Sequence, residues 1–255
     1  MVISHKYKFI FIKTTKVGGT SLELMLDELC GPADVFPPHW HPEEGHRPRN
    51  FNGWFNPLPE LFKVLRHEHR LPKAYREWVL KMFNERERFH ESLPAWQMKR
   101  RLPSHIWNGY FKFTIERNPW DKAISRYYHS KGVFEPKYGK VLTMDAWLDY
   151  FEKRISQPWV TKAWGSEAPL NYTRYADPWT DEVLVDKICR YEELDQELKE
   201  VFERVGMPWP GTVPRKAKTG YRVDRRHYQE VLTSSQRDRI AKACAKEIAL
   251  MGYTF

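Results

Sequence analysis

Residues 8–29 read KFIFIKTTKVGGTSLELMLDEL, and no other stretch restricts the chain as much. Phe9, Ile10, Phe11 and Ile12 are a short apolar run without alternation, which suits a central strand buried on both faces of a parallel sheet. Leu22, Met25, Leu26 and Leu29 then recur at i, i+3, i+4 and i+7, the spacing of one helical stripe. Thr20 or Ser21 suits the cap of that helix, and Glu23 suits its positive end. Between strand and helix lies a tight loop with Lys16, Gly18 and Gly19. Two glycines before a helix N-terminus expose backbone N–H groups, and a nearby lysine adds full charge, so the loop can hold an oxyanion. A plain strand-to-helix turn also uses glycine, so the loop alone does not decide the matter.

A chain of 255 residues suits one α/β domain with a full core, and a single domain over residues 1–255 is expected. Lys and Arg number 42 against 33 Asp and Glu, a net charge of +9, which favours an acidic partner such as a nucleotide, an anionic glycan, nucleic acid or an anionic surface. Cys30, Cys189 and Cys244 are odd in number and have no metal-ligand spacing, so they are expected as core thiols in a reducing, cytoplasmic compartment. The sequence has neither an apolar run of membrane-spanning length nor a signal peptide at its N-terminus, and no membrane insertion is expected.

A second anion motif lies near the middle. Tyr110 to Glu116 reads as a strand and runs into Arg117-Asn118-Pro119. Asn before Pro is a strong helix start, and Trp120, Ala123, Ile124 and Tyr127 supply the buried stripe that follows. Arg117 thus stands at the carboxyl end of a strand, where open α/β sheets bind ligands, with Ser125 less than two turns into the helix. A guanidinium fork and a hydroxyl make a sensible phosphate clamp.

The first loop is not a Walker A sequence, because Lys16 precedes the glycine pair instead of following it. Its order, K-x-G-G-T-S, resembles the 5′-phosphosulfate loop of sulfotransferases that use 3′-phosphoadenosine 5′-phosphosulfate (PAPS). The family usually has proline before this lysine, where the chain has Thr15. Arg117 and Ser125, within R-N-P-x₅-S-x-Y, resemble the 3′-phosphate motif of the same family. The resemblance is sharp in these two places and weaker elsewhere.

That resemblance implies a P-loop-like three-layer α/β fold, with a central, mainly parallel sheet flanked by helices. It implies PAPS as co-substrate with no required metal, bound by Lys16, Val17, Gly18, Gly19, Thr20, Ser21, Arg117 and Ser125. Lys218 and Arg222, in the basic VPRKAKTGYR segment, match the position of a loop that closes over the nucleotide in many relatives. Lys16 is expected to neutralise the leaving phosphate. The acceptor implied is a hydroxyl on a carbohydrate. His90 is the first choice of general base, because related chains carry histidine before a similar Pro-Ala helix start; Glu91, His105, His46 and His39 stay open.

The rest of the chain reads as supporting structure. An irregular, aromatic stretch over residues 30–59 carries His39, His41 and His46, weak metal evidence, and Arg47 and Arg49, which could touch an anionic acceptor. Helices are expected over residues 60–88, 144–154, 194–205 and from Ser234 onward, and a strand over Val183–Tyr191. Trp159, Trp164, Tyr172 and Tyr175 are expected to cover the sheet. Arg190-Tyr191-Glu192 resembles a structural phrase of the family. Two other classes compete: a P-loop nucleotide kinase or phosphotransferase needing ATP and Mg²⁺, and a non-catalytic module binding an anionic glycan or nucleic acid. The GK[ST] lysine and a Walker-B aspartate that the kinase needs are lacking, and no nucleic-acid motif accompanies the basic runs, so no nucleic-acid partner is expected.

Overall fold

The computed structural model describes residues 1–39, 43–67, 77, 80, 87–156, 170–213, 222 and 224–255. Strands β1 (Val2–Ser4), β2 (Phe9–Ile12), β3 (Phe111–Glu116) and β4 (Lys187–Arg190) form one sheet in that order. β1 runs antiparallel to β2, whereas β2, β3 and β4 are parallel, with Phe11 opposite Phe113 and Ile115 opposite Cys189. Parallel strands need crossovers, and long helical crossovers fill the sequence between them. They also end on the same edge, so the loops after β2 and β3 leave the sheet side by side.

Both faces of the sheet are covered, as the unbroken apolar run of β2 requires. Phe9, Phe11, Phe113 and Ile115 pack with Leu22, Met25 and Leu26 of α1 (Gly19–Leu29) and with Leu198, Val201 and Phe202 of a late helix. Ile10 and Ile12 point the other way, onto Phe89, Leu93, Trp96, Trp107 and Tyr175. In chain order the remaining helices are α2 (Leu58–His67), α3 (Ala95–Arg101), α4 (Ser104–Gly109), α5 (Pro119–Tyr138), α6 (Met144–Ile155), α7 (Tyr172–Tyr175), α8 (Leu194–Val205), α9 (Tyr228–Val231), α10 (Ser234–Ala243) and α11 (Ala245–Met251). A third apolar cluster joins α5, α6, α10 and α11 through Trp120, Ile124, Trp147, Phe151, Ile240 and Cys244. The α/β class, the mainly parallel sheet and the flanking helices agree with expectation.

Several local expectations need correction. The cap of α1 is Gly18, in the left-handed region at φ 75°, with no side-chain cap bond; Thr20 and Ser21 lie inside the first turn. Glu23 is buried among cations and is not a helix-end charge in solvent. The strand expected over Val183–Tyr191 is only Lys187–Arg190. Val183 makes an isolated bridge to Ala176, and pairing with β3 begins where Asp186 bonds Lys112. The last helix is broken at Cys244 into α10 and α11. Of the helix expected over residues 60–88, α2 is described; Trp78, Val79, Met82 and Phe83 lie outside the described residues, as do Trp159, Trp164 and His41. Tyr172 and Tyr175 are buried as expected, and the three thiols are free, with Cys189 and Cys244 buried and Cys30 half-buried.

A candidate active site at two strand ends

The two motifs meet. After β2 the Thr14 hydroxyl donates to the Ile115 carbonyl of β3, and Thr114 of β3 donates back to the Ile12 carbonyl at 2.8 Å. Two side-chain bonds therefore fasten the exits of both strands. Lys16 takes φ 61° and Gly18 φ 75°, so the chain makes two left-handed steps before α1 begins. For lysine this conformation costs roughly 1–2 kcal/mol, which the surrounding contacts must hold. Val17, between them, is fully buried and packs into the apolar cluster of β2, β3 and α1, which anchors the loop. Gly18 is exposed, and the N–H groups of the first turn of α1 have no acceptor within the helix.

At the second junction Asn118 caps α5 as expected, accepting from the N–H groups of Trp120 and Asp121, with Pro119 at the first position. Arg117 then reaches across to the first loop. It donates to the Lys16 carbonyl at 3.1 Å and, through Nε and Nη2, to Asp121 at 2.8 and 2.5 Å. Its guanidinium lies 4.5 Å from the centre of the Tyr191 ring. A Cβ added at Gly18 would sit 3.5 Å from that same ring, so Tyr191 lies against both junctions. Glu192 accepts from the Asn118 N–H at 2.6 Å. Tyr191 and Glu192 therefore belong to the site, although the sequence marked them only as a structural phrase.

Arg222 joins from the C-terminal part of the chain and donates to Asp121 at 2.5 Å. Burial raises the affinity of Asp121 for a proton, but Arg117 and Arg222 outweigh it and hold the carboxyl below its ordinary range. Ser125 is half-buried one turn beyond Asp121, on the same face of α5. The structure thus brings together Lys16, Gly18, Gly19, Arg117, Ser125 and Arg222. Lys218 lies outside the described residues, with Arg215 and Lys216.

A second charged group backs the loop. Lys13 lies over the start of α1, its Cγ 3.1 Å from where a Gly19 Cβ would be, and its ammonium bonds Glu23 at 2.5 Å and Glu91 at 2.9 Å. The Met1 amino group also donates to Glu23 at 2.5 Å, and His39 bonds Glu23 at 2.8 Å. Burial opposes charge on Glu23, yet Lys13 and these neighbours keep its carboxyl far below the usual value; Glu91 is lowered in the same way. Among the described residues, Glu23, His39 and Glu91 form a group with donor atoms within 4.8 Å of one another, the geometry a metal would use. The Lys13 ammonium already bridges the two carboxylates, so the cation of this group is the protein's own. Nothing in the periodicity marked Glu23 and Lys13 as partners, because residues ten apart meet here only through the bend of the loop.

The other base candidates have different surroundings. His90 is half-buried with its Nε2 enclosed, and burial together with Arg101, Arg174 and the Met1 amino group lowers its pKa well below the ordinary histidine range. His39 and His46 stack with centroids 3.9 Å apart, His46 donating to the Pro37 carbonyl at 2.8 Å. Arg47 and Arg49 both bind Asp27 of α1. His105 is exposed on α4.

Residues 1–254 match the Sulfotransferase family. An uncharacterized protein of Archaeoglobus fulgidus is 31% identical over 117 residues, 46% of this chain and 84% of that protein. No solved structure matches significantly. Two strand-to-helix junctions meet at one sheet edge, and the family match runs from end to end: the chain belongs to the Sulfotransferase family.

Proposed function

We propose that this sulfotransferase takes its sulfuryl group from PAPS and delivers it to a hydroxyl of a carbohydrate acceptor, on a P-loop-like framework forming one domain. The observation that carries this reading is the bond from Arg117 to the Lys16 carbonyl, since a donor with phosphates at both ends needs both junctions within its own length. The residues fit such a donor: a left-handed glycine cap opening onto α1, a guanidinium at the second strand end, and a second arginine beside it. In sulfuryl transfer the acceptor oxygen bonds sulfur as the bond from sulfur to the 5′-phosphate oxygen breaks and the hydroxyl proton passes to the protein, so positioning and charge stabilisation dominate, as in phosphoryl transfer.

Lys16 and the N–H groups of Gly18 to Ser21 serve the end where charge grows on the leaving phosphate. Arg117, Ser125 and Arg222 serve the 3′-phosphate, a group that ATP lacks; Asp121 yields part of its hold on Arg117 when that phosphate binds. For the proton, Glu91 has better support than His90. Its carboxylate reaches Lys13, which packs over Gly19, whereas the His90 imidazole lies among Arg101 and Arg174. Reach precedes pKa for a general base. The carbohydrate acceptor rests on the family resemblance; an open basic cleft of about 350 Å³ lined by Phe62, Lys63, Arg66, His67 and Arg100 lies apart, between α2 and α3. No helix among the described residues is long and apolar enough to cross a membrane.

Calorimetry with 3′-phosphoadenosine 5′-phosphate (PAP) and with ATP, each with and without Mg²⁺, tests the donor. Binding of PAP that ignores Mg²⁺ and exceeds that of ATP is expected. Preference for Mg²⁺-ATP would overturn the reading in favour of a phosphotransferase.

A further inference from the structure

Thr15 stands immediately before Lys16, at the position where the resemblance leads one to expect proline. Its N–H donates to Asn171 Oδ1 at 2.9 Å and its hydroxyl donates to the same oxygen at 3.0 Å. The Asn171 amide returns a bond to the Thr15 carbonyl at 3.2 Å. Both backbone groups and the side chain of Thr15 are thus taken by one residue from the far side of the chain. The same Asn171 amide donates to Glu116 at 3.2 Å, and Glu116 in turn accepts from the Arg117 N–H at 2.9 Å. Asn171 is fully buried, and its own N–H donates to Glu247 of α11 at 3.0 Å. Lys122, also fully buried, neutralises Glu116 at 2.6 Å. A side chain fixed at this many points has one orientation, and it presents that orientation to the residue before Lys16 and the residue before Arg117 together.

We propose that Asn171 is a positioning residue that clamps the two junctions at the separation the donor needs, in place of the proline usual before the loop lysine. Proline presets φ but offers no N–H, so a chain with proline here could not make the 2.9 Å bond, whereas threonine without a clamp would leave Lys16 to swing. The clamp touches no donor atom. It acts through Thr15 and Glu116, and it rests on the reading that these junctions hold PAP and PAPS.

Two readouts separate the clamp from that reading. In ligand-free protein, amide exchange across residues 13–21 reads the clamp itself; a PAP titration reads its use. Asn171→Ala removes all four of these side-chain bonds and is expected to speed exchange and raise the PAP dissociation constant by at least about tenfold each, the net worth of about one buried hydrogen bond or more. Thr15→Val, which removes only the hydroxyl, is expected to raise both by about threefold to fivefold, and it carries the test alone if Asn171→Ala does not fold. Adding Thr15→Pro to Asn171→Ala is expected to recover PAP affinity to within about threefold of wild type, a coupling that a merely structural asparagine would not show. Unchanged exchange in both single variants overturns the clamp. Faster exchange with wild-type PAP affinity overturns its positioning role, and a wild-type protein that binds no PAP overturns the donor reading and that role with it.

Discussion

Arg117 Nη1 donates to the carbonyl oxygen of Lys16 across 101 positions of sequence, at 3.1 Å. A guanidinium that holds the backbone of the opposite loop is set in place before any ligand arrives, and its remaining donors point where Asp121 now sits. Asp121 satisfies Arg117 and Arg222 together, so the arginines are paired without a phosphate and have an anion to exchange for one.

Arg117→Ala removes both the phosphate fork and the tie to Lys16. PAP affinity should fall about a hundredfold, the worth of two charge-assisted bonds. Tyr191→Ala, which takes away the ring 4.5 Å from Arg117, should cost about threefold to tenfold, and Tyr191→Phe less than about twofold, because the ring and not its hydroxyl meets the guanidinium. Titration of PAP into the three variants checks the order.

Lys16 separates charge from backbone. Lys16→Ala should lower kcat by about 10²–10³ through loss of the transition-state charge. Lys16→Gly should lower it equally but melt higher than Lys16→Ala, by the equivalent of about 1 kcal/mol, since glycine accepts φ 61° without penalty. Turnover and thermal melts of the pair check this.

Legibility in the sequence followed the range of the interactions. β2, α1 and the Asn118 cap are local: an apolar run, one helical stripe, and a side chain reaching two and three residues ahead. These were readable. The motif spacing also gave Arg117 its strand-end position. What could not be read was set by contacts over long separations. Glu23 looked like a helix-end charge until the fold brought Glu91 and Lys13 to it. Tyr191 looked structural until parallel pairing of β4 with β3 laid its ring under Arg117. Asn171 carries no motif at all; its role comes from burial beside Thr15 and Glu116.

The Lys13 group predicts an acid limit to stability. Glu23 and Glu91 titrate below the ordinary value of 4.5 because Lys13 outweighs their burial. A carboxylate lowered on folding contributes stability that is complete above its unfolded pKa and is lost as pH falls through its folded one. Wild-type melting should therefore hold steady from neutral pH to about pH 5 and fall below it. Lys13→Met strands two buried carboxylates and should cost about 3–5 kcal/mol at neutral pH. That cost should shrink as the pH drops and the carboxylates take up protons. Denaturant melts of both proteins across pH 3–8 check the convergence.

The proton acceptor can be assigned by two substitutions, because the neighbouring candidates have unlike surroundings. Glu91→Gln keeps an oxygen for Lys13 but cannot take a proton, so kcat should fall by about 10²–10⁴ while PAP affinity stays within about threefold. His90→Ala removes an imidazole enclosed near Arg101 and Arg174 and should change kcat by less than about fivefold. Since Lys13 keeps Glu91 ionised to below pH 4.5, the wild-type rate at pH values where the melts show a folded protein should not decline on the acid side until below that value. A large loss in His90→Ala with normal turnover in Glu91→Gln would reverse the assignment.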